Sequence, residues 1–201
     1  MANSTTLDNT EFQFDESLLP CLITGACGSG VSYFSISVVG NLIQQGKKII
    51  FFTAFPAARE ELYAQIGHSN TFEVKNEWDM ENMPKNKSII VKSGDIILWQ
   101  KVIQNINPIE DYIIFVKNIE EYNETVLRMV DKNRKIILSG NIDSCNFKKG
   151  VVIKEWQSKI FFTNPKTVFS DIKIPKLEKF ESYLYANENL KGILRLKKEI
   201  E

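Results

Sequence analysis

Short apolar runs alternate along this chain with longer amphipathic stretches. Residues 18–24 form the first run, which lacks polar alternation and ends at glycine, the pattern of a buried strand. Residues 48–53, 111–117, 135–139 and 159–163 have the same form, and 71–74 and 88–92 are shorter candidates. Residues 32–45 carry Phe34, Val38, Val39, Leu42 and Ile43 at helical spacing, and Gly46 is a natural stop. Pro56 suits the first turn of a helix over 56–66, with Gly67 just past its end. Asp95 can cap a helix over 95–106. Acids in the first turn favour a helix over 120–132. Residues 76–87 are polar apart from Trp78 and two methionines, and read as a connection. In the tail, 183–186 and 193–196 suggest an edge hairpin.

Strands of this kind, alternating with helices, call for a mostly parallel sheet covered on both faces. The chain has 201 residues, enough for one domain with a substantial core. Residues 1–17 are polar and acidic and are expected to form a flexible leader, which leaves 18–198 as the domain. Lys plus Arg and Asp plus Glu are both 25, so the formal net charge is zero. That balance supplies no global attraction to nucleic acid or to an anionic membrane. Lys132, Arg134, Lys135, Lys148 and Lys149 are the basic candidates for a local nucleic-acid stripe, and they read as a solvated surface. No signal peptide and no run of eighteen apolar residues is visible. Cys21, Cys27 and Cys145 form no CxxC pair and read as reduced thiols. A cytoplasmic location is expected. His68, the one histidine, has no cysteine near it in sequence with which to build a zinc site.

The most informative segment is the loop after the first strand. Gly25, Gly28, Ser29, Gly30, Val31 and Ser32 follow the spacing GxxxxGK[ST] at both defining glycines and at the final hydroxyl. Glycines let backbone N–H groups turn inward around an anion, and the following helix adds its positive end. Ser32 corresponds to the hydroxyl that meets Mg²⁺. These residues are the candidate nucleotide-binding set. Valine, however, stands where the motif has lysine. Losing a charge-assisted contact to phosphate costs about 1.5–3 kcal/mol, and phosphoryl transfer depends heavily on such stabilisation. The strand over 111–117 has the form that usually ends in a magnesium-holding aspartate, but Lys117 and Asn118 stand at its end. Glu120 and Glu121 come later and read as first-turn helix acids. After the second strand, Thr53, Ala54, Phe55 and Pro56 include no acid. Three positions have lost their chemistry together. No catalytic residue and no metal ligand is assigned.

The order of these features resembles the RecA-type motor ATPases of conjugation and type IV secretion across most of the chain. Their loop GxxGSGKS is similar to Gly25 through Ser32, and their apolar strand to residues 112–116. Their polar sensor strand is similar to Leu138, Ser139, Gly140 and Asn141. Their segment TKIFLPNP is similar to residues 158–165, SKIFFTNP. The run over 46–53, followed by Ala58, Arg59, Glu60, Glu61 and Leu62, also resembles the KaiC-like ATPases, among whose relatives the Elongator subunits keep the fold without its motifs. Either resemblance implies a RecA-like P-loop NTPase fold, α/β in three layers around a mostly parallel sheet.

Two functional expectations follow. The first is a catalytically impaired subunit that docks with homologous RecA-fold subunits or other proteins, Elongator-like or secretion-motor-like. The alternative is a working ATPase, a motor for nucleic acid or secretion, that uses Mg-ATP with a lysine drawn from Lys47, Lys117 or a neighbouring subunit. Cys27 lies where a helix start would stabilise a thiolate, but passive occupancy of a variable loop position is the simpler reading. The phenylalanines, Trp99 and Trp156 read as packing residues.

Overall fold

The computed structural model describes residues 14, 16–24, 31–53, 55–92, 95–106, 108–119, 135–140, 158–161, 181–186 and 189–195. The strands are β1 (Cys21–Thr24), β2 (Lys48–Thr53), β3 (Thr71–Val74), β4 (Ser88–Lys92), β5 (Tyr112–Lys117), β6 (Ile136–Gly140), β7 (Ser158–Phe161), β8 (Glu181–Ala186) and β9 (Asn189–Arg195). The helices are α1 (Val31–Gln44), α2 (Pro56–Ile66), α3 (Glu77–Glu81) and α4 (Ile96–Asn105). One nine-stranded sheet runs in the order β3-β4-β2-β5-β6-β1-β7-β8-β9. Pairing is parallel from β3 through β7 and antiparallel for the last two pairs.

Strand alternation divides the core into two apolar layers. Leu22, Ile50, Phe52, Ile114, Val116 and Leu138 pack with Trp99 and Val102 of α4. Cys21, Ile23, Ile49, Phe51, Ile113, Phe115 and Ile137 pack with Phe34, Val39 and Leu42 of α1 and Leu62 of α2. Both faces of the central strands are therefore apolar, which is why their sequences lack polar alternation. Phe51 stacks on Phe115 with centroids 5.1 Å apart, and Phe52 lies 4.7 Å from Trp99. Burying each such ring contributes about 1.5–3 kcal/mol.

Local chemistry sets the helix ends. At Gly46 (φ 81°) the chain turns left-handed. Its N–H donates to the Ile43 carbonyl, and the Lys47 N–H to that of Leu42, both at 2.9 Å. Together these bonds close α1 in a Schellman motif. The N–H of Gly67 (φ 69°) donates to the Tyr63 carbonyl at the end of α2. Asp95 accepts from the Ile97 N–H at 2.8 Å and caps α4.

The structure departs from the sequence pattern over residues 76–87 and again before β1. The stretch expected as a connection over 76–87 contains α3. The Asn76 side chain accepts from the Asp79 N–H at 3.0 Å, while Asp79 accepts from the Lys75 N–H at 2.9 Å. Side-chain capping, rather than apolar periodicity, makes this short helix. The first strand also starts later than residue 18. Glu16–Leu18 form a 3-10 turn, and Pro20 has no N–H to offer a ladder. Phe14, within the stretch expected as a leader, is buried in the layer beneath α1 and α2. Glu16 pairs with Lys47, and with Lys135 at 3.8 Å.

At one edge of the sheet, β3 carries Glu73 between two cations. Arg59 of α2 donates to it, and Lys75 lies at 3.5 Å.

Candidate functional site

Parallel strands bring their carboxyl ends to one edge, where open α/β sheets bind ligands. Register fixes the neighbours there. Ile23 of β1 is opposite Ser139 of β6, and Ser139 is opposite Lys117 of β5. A single strand therefore separates the end of β1, which leads into the glycine loop, from the end of β5. Gly25, Gly28, Ser29 and Gly30, with Cys27, lie outside the described residues. Val31 and Ser32 form the start of α1. Val31 is partly buried against the apolar layer of α1 and α2, and it supplies no charge. Ser32 is exposed. Its carbonyl accepts from the Ser35 hydroxyl at 3.0 Å, which ties down the first turn. The helix directs its positive end toward the carboxyl edge of β1.

Lys117 is the unusual group at this edge. It shares a strand face with Ile113 and Phe115, which pack beneath α1 and α2, so its long stem lies under apolar cover. The side chain is only 5% exposed, and its Nζ stands 3.4 Å from Oε2 of Glu61 on α2, which is 51% exposed. Asn118 follows at φ 59°, a left-handed conformation that asparagine tolerates better than most residues. It turns the chain sharply as the strand ends. Thr53, which ends β2 on the same face, is buried. Its hydroxyl oxygen accepts from the Phe55 N–H at 3.1 Å and so shapes the entry to α2.

Other expected residues fall elsewhere. Lys47 precedes β2 and pairs with Glu16 at the opposite, amino edge of the sheet. Within its own chain it therefore cannot replace the missing loop lysine. Lys135 meets the same Glu16. Lys132, Arg134, Lys148, Lys149, Glu120, Glu121, Asn141, Cys145 and Trp156 lie outside the described residues. Trp99 is a core residue. His68 is exposed and lies over Tyr63, with ring centroids 4.0 Å apart. Cys21 is fully buried, and desolvation pushes its thiol far up, which keeps it protonated and inert. Among the described residues no group of three or more His, Cys, Asp or Glu could hold a metal ion. No described helix is long and apolar enough to cross a membrane. A hollow of about 310 Å³ at the amino edge mixes Lys48, Glu81 and Asp111 with Met80 and Met83, and its charges are of both signs.

Glu61 has no motif signature in the sequence, because the stretch directly after β2 holds no acid. The acid stands further along, on α2, where the helical repeat that buries Ala58 and Leu62 presents Glu61 to the end of β5.

No protein-family model matches the chain, and no curated protein matches it. Among solved structures it is similar to the genome packaging NTPase B204 from Sulfolobus turreted icosahedral virus 2 in complex with AMP. That match has a TM-score of 0.63 and 15% identity, and covers 88% of this chain and 97% of that one. The same NTPase in complex with AMPPCP matches with a TM-score of 0.62, at the same identity and coverage. The fold is α/β, with helices on both faces of a mostly parallel central sheet, and it matches that of the packaging NTPase.

Proposed function

We propose that this chain is a nucleotide-binding RecA-like domain that has lost efficient hydrolysis and acts as a structural or regulatory subunit of a multiprotein assembly. The observation that carries the reading is the buried ammonium of Lys117 at the end of β5. A divalent cation needs a carboxylate there, and hydrolysis needs the cation. Val31, partly buried against the core, removes the second positive contact. The preserved strand, loop position and helix support continued binding of a phosphate chain by backbone N–H groups. The partners are homologous RecA-fold subunits or other proteins.

The test is turnover and binding by the full chain with Mg-ATP. The expected result is measurable ATP binding with hydrolysis no faster than background. Robust turnover that Gly30→Glu abolishes would overturn the reading.

A second reading, a working NTPase, is favoured by the likeness to a packaging NTPase seen with AMP and AMPPCP. With Lys47 at the far edge and Lys117 paired, it needs a cation from a neighbouring subunit. Specific turnover would then rise steeply with protein concentration, whereas the first reading expects none at any concentration.

A further inference from the structure

We infer that α3 and the hollow beside it form a surface for self-association, on which Trp78 of one protomer enters the hollow of a second copy and that copy's Trp78 enters the first. The inference deepens the subunit reading above by naming one partner, a second copy of this chain, and it does not depend on nucleotide binding.

Trp78 is 70% exposed, the most exposed large hydrophobic side chain among the described residues. A covered tryptophan buries about 150–250 Å², so a ring left in water forgoes a large apolar contribution. The Asn82 amide donates to the Trp78 carbonyl at 2.8 Å, which ties down the end of α3. Glu81 stands three residues after Trp78, so the two are neighbours on the helix surface, and Glu81 also lines the hollow. The indole therefore stands beside the rim. The hollow has a volume of about 310 Å³, and Met80, Met83, Ile106 and Tyr112 supply apolar wall. All four belong to the apolar layer beneath α4 or pack against it. Ligand pockets start at about 300 Å³, so this one suits a single ring system. Methionine side chains adapt to such a guest and make favourable sulfur–aromatic contacts.

The charges of this patch complement themselves. Glu81 and Lys85 are exposed and both line the hollow, and among the described residues neither has an ion-pair partner. Lys48 is already paired with Asp111, and Lys101 with Glu77. A two-fold axis beside α3 sets Glu81 of one protomer against Lys85 of its partner, and the reverse, while each indole meets the opposite hollow. Indole, near wall and both free charges lie within residues 78–85, so one rotation satisfies every contact twice. An isologous contact of this kind closes at two copies. A head-to-tail contact would leave an unfilled hollow at one end and a bare indole at the other. Tryptophan seated in a pocket is a common anchor of protein interfaces. The patch is small beside the roughly 1,200–2,000 Å² of a standard interface, so the dimer forms reversibly and depends on concentration.

Sedimentation equilibrium of the full chain over a wide concentration range, without nucleotide, tests this. The wild-type chain is expected to pass from monomer to dimer and to stop there. Trp78→Ser should weaken the dimer at least tenfold, the loss of an anchor residue. Glu81→Lys and Lys85→Glu should each weaken it several-fold, by setting like charges together. The two changes combined in one chain should restore most of the loss, because opposite charges meet again across the axis. All three positions are exposed, so the fold survives, and urea unfolding confirms it for each variant. A chain that stays monomeric at every concentration overturns the inference. So does a dimer indifferent to Trp78→Ser, a combined charge exchange that restores nothing, or association that continues past two copies. ATP titration of the same samples separates the two readings. Binding by a chain that stays monomeric overturns this inference and leaves nucleotide binding standing, whereas a Trp78-dependent dimer that binds no ATP upholds it and removes the nucleotide-binding reading.

Discussion

Lys48 opens β2 at the amino edge of the sheet, Lys117 closes β5 at the carboxyl edge, and each meets a carboxylate. The contact of Lys48 with Asp111 is 3.3 Å, and the two side chains are 32% and 52% exposed. Its ammonium also stands 5.0 Å over the Tyr112 ring. This is surface chemistry: the stem covers an aromatic face while the charge stays in water. Lys117 has a similar distance to its carboxylate but almost no water. Its neighbours on the strand face are Ile113 and Phe115, which need no charge beside them. A methionine would fill the same space without the desolvation cost. A charge kept against that cost, at the edge where this fold class binds ligands, points to a use other than stability.

The largest test of the contrast acts on the platform that presents Glu61. Leu62 is fully buried on α2, so Leu62→Ala should destabilise by about 2–5 kcal/mol, read from urea unfolding midpoints. A loss below about 1 kcal/mol would show that α2 does not anchor this edge. Next, Glu61→Lys sets two ammonium groups together and should cost about 1–2 kcal/mol, a figure reduced because Glu61 is half-exposed. The exchange Glu61→Lys with Lys117→Glu should restore most of it, and a double-mutant cycle reads the coupling. Lys117→Met should then leave stability unchanged or raise it by about 1 kcal/mol, and Lys48→Met should change it by no more than about 0.5 kcal/mol. Marked destabilisation by Lys117→Met would make the buried pair structural and dissolve the comparison.

The smallest effect concerns pH at the amino edge. The Tyr112 phenol, which donates to the Lys85 carbonyl at 3.1 Å, is raised above its ordinary value. Burial is the main cause, the Lys48 charge lowers it, and Asp111 raises it. A raised folded-state value means that this contribution to stability is fully present below the ordinary phenol range. It is lost as pH climbs through the folded-state value. Lys48→Met removes the lowering influence, so ultraviolet titration of the folded variant should show Tyr112 ionising at still higher pH. A downward move would show that Lys48 does not act on the ring.

Much of this architecture was legible because glycines and prolines punctuate it. The apolar run Lys48–Thr53 and the Pro56–Ile66 helix are bounded as the pattern implies, and the alternation of strand with helix sufficed for the layers. What escaped had no periodic signature. Helix α3 depends on Asn76 and Asp79 side chains bonding to nearby N–H groups, which resembles loop chemistry in the sequence. Lys117 was conspicuous at its motif position, but its partner lies 56 residues away on another element. Lys47 looked equally available as a donor. Only the direction of β2 shows that it belongs to the opposite edge from the loop.

The acid held between two cations on β3 has a further consequence. A four-residue strand at the rim of a sheet is the kind of edge that can recruit an identical ribbon from another molecule and so seed fibre growth. Glu73, gripped by Arg59 and Lys75, would have to surrender those cations or be covered as a bare carboxylate before any foreign strand could align beside it. Glu73 thus weighs against sheet extension at this rim, although it contributes nothing to the hydrophobic core.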